Sequence, residues 1–167
     1  MAQRVIALNA HTNDVPCESA WEQMRSCLKN PFNPEEIKRY QEPIYAIAGA
    51  ASDDQFAFAS SSAEAVSRVI WSVFTEKSRK EGKTQWIASC IEDAPTLQML
   101  KRCEELGCTV KIAPLDSQGR IDVAKLAELI TPRTALISVT AAHGLTGVVQ
   151  PIEALCELAR SKGVLVH

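Results

Sequence analysis

Residues 134–167 constrain what this chain can fold into more than any other stretch. Ala135-Leu136-Ile137-Ser138-Val139 is an apolar run of strand length, and residues 140–147 form a polar loop. Residues 152–161 then carry apolar positions at helical spacing. A turn at Lys162-Gly163 leads into a second apolar strand, Val164-Leu165-Val166, which ends on His167. Strand, crossover helix and strand within ~30 residues make one βαβ unit, which requires parallel pairing. Ligands of parallel sheets sit beyond the carboxyl ends of the strands. The loop after Val139 and the residue His167 therefore fall where chemistry takes place.

The preceding segments repeat the alternation. Residues 55–59 read as a short strand, 62–80 as a long helix and 84–89 as a strand. Residues 94–106 read as a helix stopped by Gly107, and 109–113 as a strand. Asp116-Ser117-Gln118-Gly119 makes a turn, 123–130 a helix, and Pro132 forces the exit to the next strand. The pattern is that of an α/β fold with a mostly parallel sheet flanked by helices. The first 54 residues are less regular. Residues 4–8 read as a strand. A helix is expected from about Val15, capped by Asp14 and with Pro16 in its first turn, placing Val15, Ala20, Met24 and Leu28 on one stripe. Asn33 is placed to cap a second helix over 34–40, and 44–51 read as a third short helix or loop closed by Ser52-Asp53-Asp54. With no linker, repeat or low-complexity tract, residues 1–167 read as a single domain.

A net charge of −2 gives no reason to expect nucleic acid or an anionic membrane surface as a partner. The apolar runs are strand-sized, short of the ~20 residues of a membrane span. The polar start, with Gln3 and Arg4, lacks the apolar core of a signal peptide, so the cytoplasm is the expected compartment. Six cysteines, at positions 17, 27, 90, 103, 108 and 156, include no C-x-x-C pair. They read as isolated thiols rather than a disulfide framework or a zinc site. No metal ligands are assigned.

Three groups of residues on the expected rim can carry chemistry. Phe58-Ala59-Ser60-Ser61-Ser62-Ala63-Glu64 is a strand end, small residues and a helix start. Such a start binds anions, because unpaired N–H groups and the helix dipole point the same way. Equally, Ser61-x-x-Glu64 is the spacing of a capping box. His143-Gly144 lies on the loop after the 134–139 strand, where a histidine can donate to a ligand or move a proton, or simply face solvent. His11 is read in the same two ways. Glu92 and Asp93 follow the 84–89 strand. Asp93 before Ala94-Pro95 fits a helix N-cap, and adjacent carboxylates point apart rather than acting as a pair. There is no G-x-G-x-x-G, phosphate-binding G-x-x-x-x-G-K, H-E-x-x-H or G-x-S-x-G. Periodicity thus yields a fold and a rim without a reaction.

Taken together, residues 6–15, 58–64, Ser117-Gln118-Gly119-Arg120-Ile121-Asp122, Gly147-Val148-Val149-Gln150-Pro151-Ile152, Leu158-Ala159-Arg160 and 162–167 recur in this order in a known family. The chain resembles the amino-terminal part of the NifS/IscS-like cysteine desulfurases, within the class V aminotransferases of pyridoxal-phosphate fold type I. The resemblance spans essentially the whole chain and is most specific over the last 30 residues. It implies a partial large domain with a mainly parallel sheet, and pyridoxal phosphate as cofactor. It further implies a small amino-acid substrate such as cysteine, and a homodimer or a partner chain that completes the enzyme.

Carried across residue by residue, the resemblance gives Ser61 and Ser62 as phosphate-side cofactor contacts, with Ala63 where the family has a phosphate-binding threonine. Asp93 stands where a histidine stacks on the cofactor ring, and Gly144 where an asparagine bonds the ring hydroxyl. His167 is the histidine of the family's His-x-Asp. The aspartate, the Schiff-base lysine and the persulfide-forming cysteine of the family lie beyond His167. No catalytic residue is assigned, and a pseudoenzyme or fragment, inactive by itself, is the expectation. The alternative is a non-catalytic binding module, or one half of a split enzyme.

Overall fold

A computed structural model of the chain describes residues 16–30, 36–51 and 53–167. It separates into two compact units, one up to Phe56 and one over Ala57–His167. The expected strand at 4–8, the Asp14 cap, His11 and the Asn33 cap lie outside the described residues.

In the first unit, α1 (Glu18–Lys29) starts later than the sequence implied. Cys17 is its N-cap in extended geometry, so Pro16 precedes the helix instead of opening it. None of α1 is buried, and Met24 and Leu28 of its apolar stripe are exposed. The second helix, α2 (Glu36–Ala48), replaces the two short segments expected around Pro43 and runs through that proline. One missing N–H costs a helix one bond, and the turns on either side persist here. Tyr45 of α2 packs its ring against Phe56 in a tilted arrangement at 4.6 Å, and its hydroxyl donates to the Asp54 carbonyl at 2.7 Å.

The second unit holds a four-stranded sheet of order β2-β1-β3-β4, every pair parallel. Its strands are β1 (Gln85–Ala88), β2 (Thr109–Ile112), β3 (Thr134–Ser138) and β4 (Leu165–Val166). Helix α3 (Ser62–Val73) continues into a π-helical turn (Phe74–Arg79). That turn buries Ser78, whose hydroxyl accepts the Trp86 indole N–H at 3.1 Å and donates to the Lys83 carbonyl at 2.8 Å. The remaining helices are α4 (Ala94–Glu105), α5 (Val123–Leu129) and α6 (Ile152–Lys162). Gly163, at φ 64, takes the left-handed turn that releases α6 into β4.

Residues 55–59, expected as a strand, form none, and Phe58 is exposed. An apolar run becomes a strand only when a ladder partner takes up its backbone groups, and among the described residues these five have none.

Two apolar clusters sandwich the sheet. Ile70 of α3, Phe74 of the π-helical turn, and Leu100 and Cys103 of α4 pack on Trp86, Ala88 and Leu136 from one side. Leu126, Leu155 and Ala159 of α5 and α6 pack on Ile87 and Ile137 from the other. The crossover from β1 to β2 thus lies on the opposite face from those leading to β3 and β4. The strand order reverses between β1 and β3, and that junction is the topological switch point where parallel sheets bind ligands.

Candidate functional site

The geometry of the rim follows from chain direction. α4, α5 and α6 each follow a strand, so each begins at the carboxyl end of the sheet. α3 delivers the chain to the base of β1, so its first turn also stands at the carboxyl end. Four helix N-termini, each with unpaired N–H groups and a positive dipole end, therefore share one edge of the unit.

At the switch point, Glu92 spans the ends of the two central strands. Its Oε1 accepts from the Ser89 hydroxyl just past β1 and from the Thr140 backbone N–H, at 2.9 Å, just past β3. Glu92 is 9% exposed, and burial pushes its carboxyl above the ordinary glutamate value. The hydrogen bonds from Ser89 and Thr140 partly oppose that shift, and the neighbouring Asp93 charge adds to it. The two carboxylates point apart, Asp93 being exposed. Asp93 does hold the N-cap position of α4, with Pro95 in the first turn, but its side chain bonds no helix amide, in contrast to the cap its sequence context suggested.

Two small hairpins form the rest of the rim. One, after β2, is closed by the Leu115–Ile121 bridge, with the Asp116 carboxylate accepting from the backbone N–H groups of Gln118 and Arg120 at 2.8 and 2.9 Å. Those amides hold Asp116 below the usual carboxylate range, the Arg120 N–H contributing most. The other, after β3, is closed by the Ala142–Val149 bridge and carries His143 and Gly144. Gln150 stitches the two together: its Oε1 accepts from Ile121 N at 2.8 Å and its Nε2 donates to the Gly119 carbonyl at 3.1 Å. Of the two readings of His143, the bonds favour a loop role, since its Nδ1 pairs with Thr146 Oγ1 of the same loop at 2.9 Å.

The serine-rich helix start is a cap. Ser61 is extended and its Oγ accepts Glu64 N at 3.2 Å. Glu64 Oε2 reaches back to the Ser60 N–H and hydroxyl, at 2.7 and 2.6 Å, one residue earlier than the usual capping box. The Ser60 hydroxyl and amide keep the Glu64 carboxyl below its ordinary value, with Arg68 alongside at 2.6 Å. His167 extends β4 along β3, donating N–H to Ile137 O and accepting from Val139 N, both at 2.8 Å. Its ring Nδ1 pairs with Ser138 Oγ at 3.0 Å, and burial lowers its pKa from the ordinary imidazole value. Among the described residues no three His, Cys, Asp or Glu side chains are placed to hold a metal ion, and no helix is long and apolar enough to cross a membrane.

The class V aminotransferase family pattern ("Aminotransferase class-V") matches residues 34–167. The chain belongs to that family. It is 34% identical over 126 residues to a cysteine desulfurase of Cereibacter sphaeroides, a match covering 74% of this chain and 32% of the relative. To the cysteine desulfurase NifS of Azotobacter vinelandii it is 31% identical over 131 residues, covering 78% and 32%. Among solved structures, a NifS-like protein superposes with a TM-score of 0.72 at 26% identity, covering 79% of this chain and 36% of that one. DndA from Streptomyces lividans shares the fold, with a TM-score of 0.71 at 22% identity over 96% of this chain and 42% of its own. The chain thus spans about a third of the length of the curated relatives it matches, and corresponds to their amino-terminal part. The parallel sheet with its flanking helices is a partial domain of pyridoxal-phosphate fold type I.

The fold family implies pyridoxal phosphate, and the rim residues fit one end of it only. The amides of Ser62 and Ala63, in the first turn of α3, have no intrahelical partner and can meet a phosphate. The Ser60 donors are already used by Glu64, while Ser61 Oγ accepts the Glu64 N–H and keeps its own O–H to donate. At the aldehyde end, the rim segments 57–62, 89–93, 113–122 and 139–151 contain no lysine. Beside them Asp93 offers an exposed carboxylate and Gly144 no side chain at all.

Proposed function

We propose that this chain supplies the sheet and the phosphate-side rim of a pyridoxal-phosphate site of the cysteine desulfurase type. The carrying observation is the convergence of the α3 and α4 N-termini and the switch-point crevice on one edge of a parallel sheet. The family match and the fold support the same reading. The Ser62 and Ala63 amides, with the Ser62 hydroxyl, take the phosphate. Ser61 sets the helix start that aims those amides, and His167, oriented by Ser138, closes the far side of the rim. In the completed protein the substrate is a small amino acid such as cysteine, and the remaining sheet and lysine come from further chain or a partner. The 167 residues by themselves hold the anion without forming a Schiff base.

The test is amide NMR of the chain titrated separately with pyridoxal phosphate, inorganic phosphate and pyridoxal, followed by borohydride and intact mass. Both phosphates should move the Ser62 and Ala63 resonances, and pyridoxal should not. No single lysine should be fixed in stoichiometric yield. Unmoved amides, or one stoichiometric lysine adduct, would overturn the reading. A second reading, a non-catalytic module that binds a small anion or a partner chain, is favoured by Asp93, whose charge cannot stack on a pyridine ring. Cysteine turnover after adding the remainder of such a sheet would dismiss it.

A further inference from the structure

Glu92 stands apart from every other carboxylate described. It is the buried one, it is engaged by an amide 48 residues away, and no ion pair involves it among the described residues. Its two bonds join the segment after β1 to the segment after β3, which are the two walls of the switch-point crevice. We infer that Glu92 is the positioning residue of this crevice, a proton-dependent latch that holds the β1 and β3 loops together when ionised and loosens them when neutral. This goes beyond the cofactor reading and does not depend on it.

The argument is one of donors and charge. A carboxylate accepts only, and Ser89 O–H and Thr140 N–H both donate to the same oxygen. Bonds to an ionised acceptor are roughly twice as strong as neutral ones, so, with Glu92 staying out of water as the loops loosen, protonation weakens both walls' hold on the side chain at once. The other titratable and charged groups on the rim include Glu64 at the start of α3 and Asp116, Arg120 and Asp122 of the hairpin after β2, each of them engaged locally. Asp93, on the start of α4, raises Glu92 by repulsion. Cys90 lies on the same loop, His143 is tied to Thr146 on the β3 loop, and His167 faces Ser138 at the end of β4. The α4 N-terminus, which opens two residues on, adds positive partial charge. Because burial dominates over the two hydrogen bonds, the proton is lost at higher pH than from an ordinary glutamate.

The experiment follows the Thr140 amide by NMR from acid to mildly alkaline pH in the wild-type chain, E92Q and S89A, with no ligand added. In the wild type the Thr140 resonance should show one inflection above the ordinary glutamate range. After correction for intrinsic exchange, its protection relative to Ile137 should rise about tenfold through that inflection. E92Q should abolish both changes. S89A, which removes a bond that favours the ionised form, should move the inflection upward, and it carries the test by itself if E92Q fails to fold. An inflection that survives in E92Q, one left in place by S89A, or protection that stays level through it overturns the latch. Because no cofactor is present, none of these outcomes bears on phosphate binding.

Discussion

Replacing Gln150 with leucine should destabilise the second unit by about 2–4 kcal/mol. Gln150 is 4% exposed, and its amide is used at both ends, toward Ile121 N at 2.8 Å and Gly119 O at 3.1 Å. Each net bond is worth about 1 kcal/mol, and a buried donor left orphaned costs a further ~1–3 kcal/mol. Ile121 is 3% exposed, so water does not replace the lost acceptor there. Gly119 is half-buried, and water partly restores its carbonyl. Leucine is close to glutamine in volume, which keeps cavity formation out of the measurement. Urea denaturation followed by far-UV circular dichroism reads the loss directly. The melting temperature should fall by at least about 8 °C, since a domain near 100 residues loses roughly 4–8 °C per kcal/mol. Q150E sharpens the test. A protonated glutamic acid can still accept from Ile121 N and donate to Gly119 O, whereas the ionised form only accepts. Its deficit should therefore grow with pH as that carboxyl ionises, while the deficit of Q150L stays level. A Q150L chain within about 0.5 kcal/mol of the wild type, or a Q150E deficit indifferent to pH, would refute the claim that Gln150 sutures the two rim hairpins.

Two further outcomes follow from the core. Leu155, fully buried among Leu126, Ile137 and Ala159, should cost about 2–5 kcal/mol when cut to alanine, read as a lowered urea midpoint. Burial, with Cys108 nearby, pushes the Cys103 thiol from 9.0 up to about 11. Its neutral form therefore favours the fold. That contribution is whole below pH 9 and is lost as pH climbs toward 11, so the urea midpoint should fall across this window and the fall should flatten in C103A.

The sheet was legible because β1 and β3 are short continuous apolar runs of strand length, and α4 and α6 carry apolar faces at helical spacing. Boundaries failed where a local rule met a tertiary one. Pro43 reads as a break, yet α2 runs through it, because one lost backbone bond does not outweigh the turns on either side. Residues 55–59 read like a strand and, among the described residues, lack the partner a strand requires. At the rim, Ser61 was legible as a cap because its partner Glu64 lies three residues away. Glu92 was noticed only as the neighbour of Asp93, since its decisive partner Thr140 is 48 residues distant and contributes a backbone N–H, which no sequence pattern marks. Gln150 escaped for the same reason, its partners being backbone atoms 29 and 31 residues away.

The seam between β1 and β3 is closed at both ends, and the two closures differ in kind. At the base Gln85 does the work as a neutral amide. Its Nε2 donates to the Leu129 carbonyl and to Thr134 Oγ1 at 2.6 and 3.0 Å, and its Oε1 accepts from Thr131 at 3.2 Å. At the rim the same two strands are joined through Glu92, whose ionisation burial opposes. A group with a raised folded pKa contributes its stability below the unfolded value and loses it as pH rises through the folded one. Against the unfolded chain Glu92 therefore costs stability toward neutral pH, although within the folded state its ionised form grips Ser89 and Thr140 more tightly; Gln85 has no such dependence. A fold tuned for stability alone has a neutral solution available, since it uses one at the base. The ionisable solution stands at the end where the strand order reverses, where α4 opens, and where parallel sheets take their ligands. The asymmetry separates a structural seam from a functional one: the base holds the strands in register, and the rim holds them in a geometry that a single proton can change.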